Sequence, residues 1–217
     1  MVAQAQFSVN YSGNGDIITG YTGPGGAVNI PSTIDGRPVT EIGDGAFGAL
    51  TNVTSVTISN GILSIDATAF QSCSLTDISI PDSVTNIGVQ AFWDCTNLTT
   101  VLLPNSLSIL GDSAFASSGL TNITVPGSVT DLGAFVFQNC QNLTSATIAE
   151  GVVNLPVGLF GWCALTSVII PDTVTNIDQG AFECCGDLNE YCDSGQCCQH
   201  RGVGVRFLHK SCDRFVR

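Results

Sequence analysis

Basic side chains are nearly missing from this sequence. Residues 1–187 contain one, Arg37, and the other five, Arg201, Arg206, Lys210, Arg214 and Arg217, fall in the last 30 positions of a chain whose net charge is −12. Affinity for nucleic acid comes chiefly from Lys and Arg neutralising phosphates, so DNA and RNA are not expected partners. Charged residues of both signs make up only 11% of the chain, against a usual quarter or so, which disfavours amphipathic helix bundles. No apolar run approaches the roughly 18 residues needed to span a bilayer, so membrane insertion is not expected. The N-terminus lacks the charged segment and long apolar stretch of a signal peptide. Ala3-Gln4-Ala5 has the small-x-small form of a cleavage site, as if Met1 preceded a mature secreted sequence.

Histidine is absent from the body as well. His200 and His209 are the only two, so no Ser-His-Asp or Cys-His arrangement can be assembled on the first 187 residues. Gly23-Pro24-Gly25-Gly26 lacks the Lys-Ser/Thr end of a phosphate loop and reads as a turn. The Asp and Glu residues are scattered, with none paired for acid/base work. These gaps predict a protein that is not an enzyme and needs no cofactor.

What the sequence has in abundance is a repeat. Phenylalanines at 47, 70, 92, 115, 137, 160 and 182 are separated by steps of 23 and 22 residues in strict alternation, which predicts stacked coils. Inside one coil Leu75, Ile78 and Ile80 alternate with Asp77 and Ser79. Then come Pro81, Val84, Ile87 and the pair Ala91-Phe92. Period two places Ile78 and Ile80 on one face of a strand and Ser79 on the other, so each coil has an apolar side that only a neighbouring coil can bury. Strands should therefore pair in parallel at about 4.8 Å, with equivalent side chains in ladders. Pro81, Pro104, Pro126 and Pro171 follow the strand, where no ladder N–H is lost. Gly43, Gly88, Gly111 and Gly133 recur at a turn, suggesting a need for glycine's backbone freedom.

The consensus L-T-x-I-x-I-P-x-x-V-T-x-I-G-x-x-A-F-x-x-C resembles the repeat of BspA-like leucine-rich-repeat proteins, a family of bacterial and protist surface or secreted proteins. The resemblance covers residues 26–187 and extends to the opening stretch from Ile17. It implies a leucine-rich-repeat solenoid, a β-rich right-handed stack of about seven 22/23-residue coils with parallel short strands. It also implies a secreted or cell-surface location and adhesion to a protein or cell-surface ligand. The chain divides accordingly into an N-terminal opening segment or cap (1–25), the solenoid (26–187) and a Cys-rich tail or cap (188–217).

If Ile78 and Ile80 point inward, the outward positions form two rows. One is Ser55, Asp77, Thr100, Asn122, Ser145 and Ser167. The other is Thr57, Ser79, Leu102, Thr124, Thr147 and Ile169. This hydroxyl-rich face lacks the Trp, Tyr and Arg anchors of tight interfaces, so a partner held there would need many copies acting together. Trp93 and Trp162, just after the marker Phe, and Phe135 form a possible second patch on the turn edge. Two functional classes stay open: a protein-binding or adhesion module, and a structural or surface-coat protein with no specific small ligand. Ice or crystalline-glycan binding is disfavoured because Asp77, Leu102 and Ile169 interrupt the hydroxyl rows.

Cys73, Cys95, Cys140, Cys163 and Cys185 each lie three residues after a marker Phe, with Ser118 in the remaining coil. They read as small apolar core filler. Cys184, Cys185, Cys192, Cys197, Cys198 and Cys212 crowd a segment that has left the repeat, for which a disulfide-stapled cap is the leading reading. A zinc site at Cys198, His200, His209 and Cys212 is the alternative, although the spacing matches no common finger. Asn10, Asn52, Asn97, Asn122 and Asn142 begin Asn-x-Ser/Thr sequons, which the repeat itself generates at Asn52, Asn97 and Asn142.

Overall fold

A computed structural model describes residues 6–185. Most of the tail cysteines and the proposed zinc ligands therefore lie outside the described residues. Within them there are sixteen strands and no helix: β1 (Phe7–Tyr11), β2 (Asp16–Tyr21), β3 (Gly26–Ile30), β4 (Thr33–Ile34), β5 (Arg37–Ile42), β6 (Val53–Ile58), β7 (Ser64–Ile65), β8 (Asp77–Ser79), β9 (Asn86–Ile87), β10 (Ile109–Leu110), β11 (Asn122–Val125), β12 (Asp131–Leu132), β13 (Ser145–Ile148), β14 (Asn154–Leu155), β15 (Ser167–Ile169) and β16 (Asn176–Ile177). They wind a β-solenoid of about seven turns with parallel pairing between coils. Only the opening hairpin β1–β2 and the short β4–β5 pair are antiparallel.

The anticipated sheet face exists but in two pieces, β3-β6-β8 and β11-β13-β15. Residues 99–103, which carry Thr100 and Leu102, form no strand between them. A second sheet, not anticipated from the sequence, runs β5-β7-β9-β10-β12 and continues as β14-β16. Its rungs are two residues long, with Ile42, Ile65, Ile87, Leu110 and Leu132 in register.

The two sheets enclose one core, at whose centre the marker phenylalanines stack. Successive rings from Phe47 to Phe182 are 4.9 to 5.9 Å apart, and interplanar angles do not exceed 20°. The spacing follows from the strand separation, and it falls within the offset-stacked range for aromatic pairs. The first six rings are fully buried and Phe182 is half-buried. Tyr21 extends the stack at its start, 5.3 Å from Phe47.

The glycine column serves a different purpose from the one expected. Gly43, Gly88, Gly111 and Gly133 do not have positive φ. Each lies against the backbone of the preceding coil, and a Cβ on Gly111 would stand 2.7 Å from the Gly88 carbonyl carbon. Space, not backbone freedom, selects glycine there. Left-handed residues occupy two other columns, two positions before and two after the marker Phe. These include Gln90, Ser113 and Phe135, then Asp94, Asn139 and Trp162. Short polar side chains suit most of these sites.

The cysteine ladder is buried and its thiols are free. Each sulfur donates to the carbonyl of the marker Phe one coil back: Cys73 to Phe47 at 2.8 Å, Cys95 to Phe70 at 3.1 Å, Cys140 to Phe115 at 3.2 Å, Cys163 to Phe137 at 3.0 Å and Cys185 to Phe160 at 3.0 Å. In the coil without a cysteine, Ser118 pairs with Cys140 at 3.2 Å. Cys185 and exposed Cys184 thus belong to the last coil, not to the segment that leaves the repeat.

Burial pushes Cys73 up to about 11 and Cys95 and Cys185 up to about 12 from an ordinary value of 9.0. The folded state therefore holds these protons more tightly than the unfolded chain. This stabilisation is complete below pH 9 and is lost as pH rises through the folded values. The melting temperature should be insensitive to thiol ionisation at neutral pH and fall steeply between roughly pH 9 and 12. Peptide mapping after maleimide treatment at pH 7.5 should find Cys184 modified and the five ladder cysteines spared. Ladder labelling as fast as that of Cys184 would contradict the burial.

Candidate functional site

The outward rows lie where the strand alternation puts them. Ser55, Ser145 and Ser167 are half-buried, whereas Asp77, Thr100 and Asn122 are exposed. In the second row Thr57, Ser79, Thr124 and Ile169 are exposed, Thr147 is half-buried, and Leu102 is 83% exposed. Parallel register brings Asn122, Ser145 and Ser167 side by side, and likewise Thr124, Thr147 and Ile169. On the other half-sheet Ser55 meets Asp77 and Thr57 meets Ser79.

Hydrogen bonding distinguishes two groups among the hydroxyls of this molecule, a distinction the sequence did not reveal. The first set ties coils together. Thr76, Thr121, Thr144 and Thr166 each donate a side-chain hydrogen bond to the carbonyl of the equivalent Thr one coil back, at 3.0 to 3.3 Å. On the side of the second sheet, Ser83, Ser128 and Thr173 reach the Ile62, Leu107 and Val152 carbonyls at 2.7, 2.7 and 2.9 Å. Each such bond contributes about 0.5–1.5 kcal/mol net and satisfies a carbonyl at a corner. The second set is unclaimed. The side chains of Ser55, Thr57, Ser79, Thr100, Thr124, Ser145, Thr147 and Ser167 make no hydrogen bond with any other described residue. All eight lie on the two outward rows, and scattered hydroxyls off the face, those of Thr51, Thr96, Thr99 and Thr175 among them, likewise make no hydrogen bond with a described residue.

Trp93, Phe135 and Trp162 occupy three different positions relative to the marker Phe, one after, two before and two after, in three different coils. Trp93 is half-buried. The Phe135 ring covers Gly158 of the next coil, where an added Cβ would collide with it. Packing accounts for Phe135, while Trp162 is left 57% exposed.

Two charged features were also not foreseen. Asp16 is fully buried in β2 and is met by Arg37 Nε at 3.0 Å, with the Arg37 guanidinium 5.8 Å from the Tyr11 ring centre. This pair ties the opening hairpin to β5 beside a shallow depression of about 270 Å³ lined by Tyr11, Asn14, Arg37 and Pro38. Glu41 is pushed up by burial and by the Asp66 carboxylate, while Asp66 accepts from the Ser64 hydroxyl at 2.7 Å. Both carboxylates belong to the second sheet and its edge.

Parallel two-sheet coils, an inward Leu/Ile/Val set and a central Phe stack define a leucine-rich-repeat solenoid. The pattern of the BspA type leucine rich repeat region matches this sequence in six copies, over residues 27–144 and 109–195. The chain belongs to that family. It is similar to the solved leucine-rich-repeat protein TpLRR of T. pallidum, with 32% identity, 80% of this chain and 79% of that one covered, and a TM-score of 0.71. A leucine rich cell surface protein of Faecalibacterium prausnitzii is 31% identical, with 85% of this chain and 52% of that one covered and a TM-score of 0.74. A leucine-rich-repeat protein of Bacteroides ovatus is 29% identical, with 80% and 51% covered and a TM-score of 0.70. The chain thus spans about half the length of the latter two. No curated protein matches the sequence significantly. Members of such repeat families are generally binding modules without catalysis, and no catalytic family is indicated.

Proposed function

We propose that this chain is a non-enzymatic protein-binding module of a cell surface, and that it holds its ligand on the face formed by β3-β6-β8 and β11-β13-β15. The observation that carries this reading is the division of hydroxyls. Four of the six threonines in the neighbouring column are committed to inter-coil bonds, whereas all eight hydroxyls of the face keep donor and acceptor free for a partner. Family membership and the similarity to a cell surface protein support the setting. The face offers small hydroxyls with Leu102 and Ile169 as its exposed apolar side chains, so single contacts contribute little. Strength comes from many coils and many copies engaging at once.

The test displays the chain at graded density against immobilised extracellular-matrix and cell-surface proteins. One copy in solution should bind its ligand at about 1 µM or more weakly, with retention rising far more steeply than linearly with density. Tight binding by single copies, unaffected by density, would contradict the reading. Absence of any ligand together with self-association of the parent would replace it with the structural-coat alternative.

A further inference from the structure

The turn of the β1–β2 hairpin is closed from within. Gly15 O accepts from both the amide and the hydroxyl of Ser12, at 3.0 and 3.1 Å, and Gly13 O accepts from the Tyr11 hydroxyl at 3.0 Å. Gly15 lets this turn lie directly on β5, since a Cβ there would collide with the Thr40 side chain. Tyr11, Gly13, Asn14 and Gly15 are thereby brought together with Arg37 and Pro38 around the depression of about 270 Å³. Its donors are unclaimed. The backbone amides of Gly13 and Asn14 and the side-chain amide of Asn14 donate to no described residue. Arg37 donates only through Nε, to Asp16 Oδ2 at 3.2 Å, and its two terminal nitrogens have no described acceptor. Asp16 is fully buried, and Arg37 is the only basic residue among those described. A buried carboxylate needs its one cation, so Arg37 is held by Nε and the rest of its guanidinium is oriented before any ligand arrives. Fourteen carboxylates are spread over residues 6–185, yet none lines this depression.

We propose that this depression is a binding site for the carboxylate of an acidic sugar, a uronic-acid residue of a glycan. The terminal nitrogens of Arg37 form a fork that matches the two oxygens of a planar carboxylate. A monoanion is preferred to phosphate because the Asp16–Arg37 pair carries no net charge and the surrounding body is acidic. The volume lies just below that of sites for drug-sized ligands and admits about one sugar ring. The exposed Tyr11 ring, 5.8 Å from the guanidinium, supplies a flat apolar surface for the C–H face of a pyranose. The Asn14 amide both donates to and accepts from hydroxyls. A peptide C-terminus would use the fork and leave the ring and the amide idle. The inference does not rest on the sheet face, because β1, β2 and β5 belong to the other sheet.

The test titrates ¹⁵N-labelled full-length protein, at constant ionic strength, with methyl glucuronide, neutral methyl glucoside, acetylated dialanine with a free C-terminus, and inorganic phosphate. The signals followed are the backbone amides of Gly13 and Asn14 and the Nε–H of Arg37. Methyl glucuronide should shift them saturably with a Kd of about 1 mM, and each of the other three should bind at least about tenfold more weakly. Arg37→Lys keeps a cation beside Asp16 but removes the fork, and should weaken glucuronide binding about tenfold or more. Tyr11→Leu leaves the Asp16–Arg37 pair in place, so it reports on the site even if Arg37→Lys loosens the hairpin, and should weaken binding roughly threefold or more. No saturable shift with glucuronide, shifts confined to the sheet face, equal binding of the glucoside, the dipeptide or phosphate, or full affinity in Tyr11→Leu would each overturn the proposal.

Discussion

Phe115→Ala should lower stability by about 3–5 kcal/mol and the melting temperature by roughly 10 °C. Phe115 is fully buried at the middle of the stack, with Phe92 4.9 Å away on one side and Phe137 5.9 Å away on the other. Truncation removes both ring contacts and leaves a cavity that coils held by backbone pairing on two sheets cannot collapse to fill. In a solenoid stability is close to a sum of coil and nearest-neighbour terms, so the loss also weakens coupling between the two halves. Phe182→Ala is the graded comparison. Phe182 is half-buried with one described ring neighbour, Phe160 at 5.6 Å, and its truncation should cost roughly half as much. Denaturant unfolding of both variants measures this. Equal costs at the two positions would mean that the stack does not carry the core.

Replacing Leu102, Thr124 and Thr147 together by Lys should reduce retention on a ligand-bearing surface by roughly 100-fold or more, because multivalent attachment multiplies the loss of each weak contact. The same substitutions should shift the melting temperature by only a few degrees. Leu102 and Thr124 are exposed, Thr147 is half-buried, and none makes a side-chain hydrogen bond that would be lost. Lysine is chosen over glutamate because three added cations reduce the repulsion among the body's carboxylates, although Thr124 and Thr147 are cross-strand neighbours and place two of the new charges side by side. Retention equal to that of the parent would remove the sheet face as the ligand site and direct attention to exposed Trp162.

The core was legible in the sequence because one residue type recurs at one register. Phe at 23- and 22-residue steps can form a ladder only if coils stack, and the alternation of Ile78, Ser79 and Ile80 assigns inward and outward sides without further information. The second sheet was hidden because its strands, such as Asn86–Ile87 and Asp131–Leu132, are too short for a period of two to show. The division of hydroxyls was also out of reach. Thr76 and Thr57 read alike in the sequence, and only the coil corner turns the Thr76 hydroxyl onto the Thr54 carbonyl while Thr57 faces outward. Trp93, Phe135 and Trp162 all lie close to a marker Phe in the sequence, and only the structure separates their settings, Trp93 half-buried, Phe135 over Gly158 and Trp162 exposed. The interruption at residues 99–103 has no signal in the sequence, since the Pro that follows it also follows intact strands at Pro126 and Pro171.

The division between a binding face and the rest of the surface is tested most directly by comparing two triple-lysine variants of equal charge. One alters Leu102, Thr124 and Thr147. The other alters Leu63, Ile109 and Val153, which are 50%, 41% and 49% exposed on the side of the second sheet. Both are titrated against the same ligand-bearing surface at the same display density. The first should lose binding and the second should retain the parent's. If the two variants bind alike, whether both lose or both retain the ligand, the face of unclaimed hydroxyls is not where the partner sits.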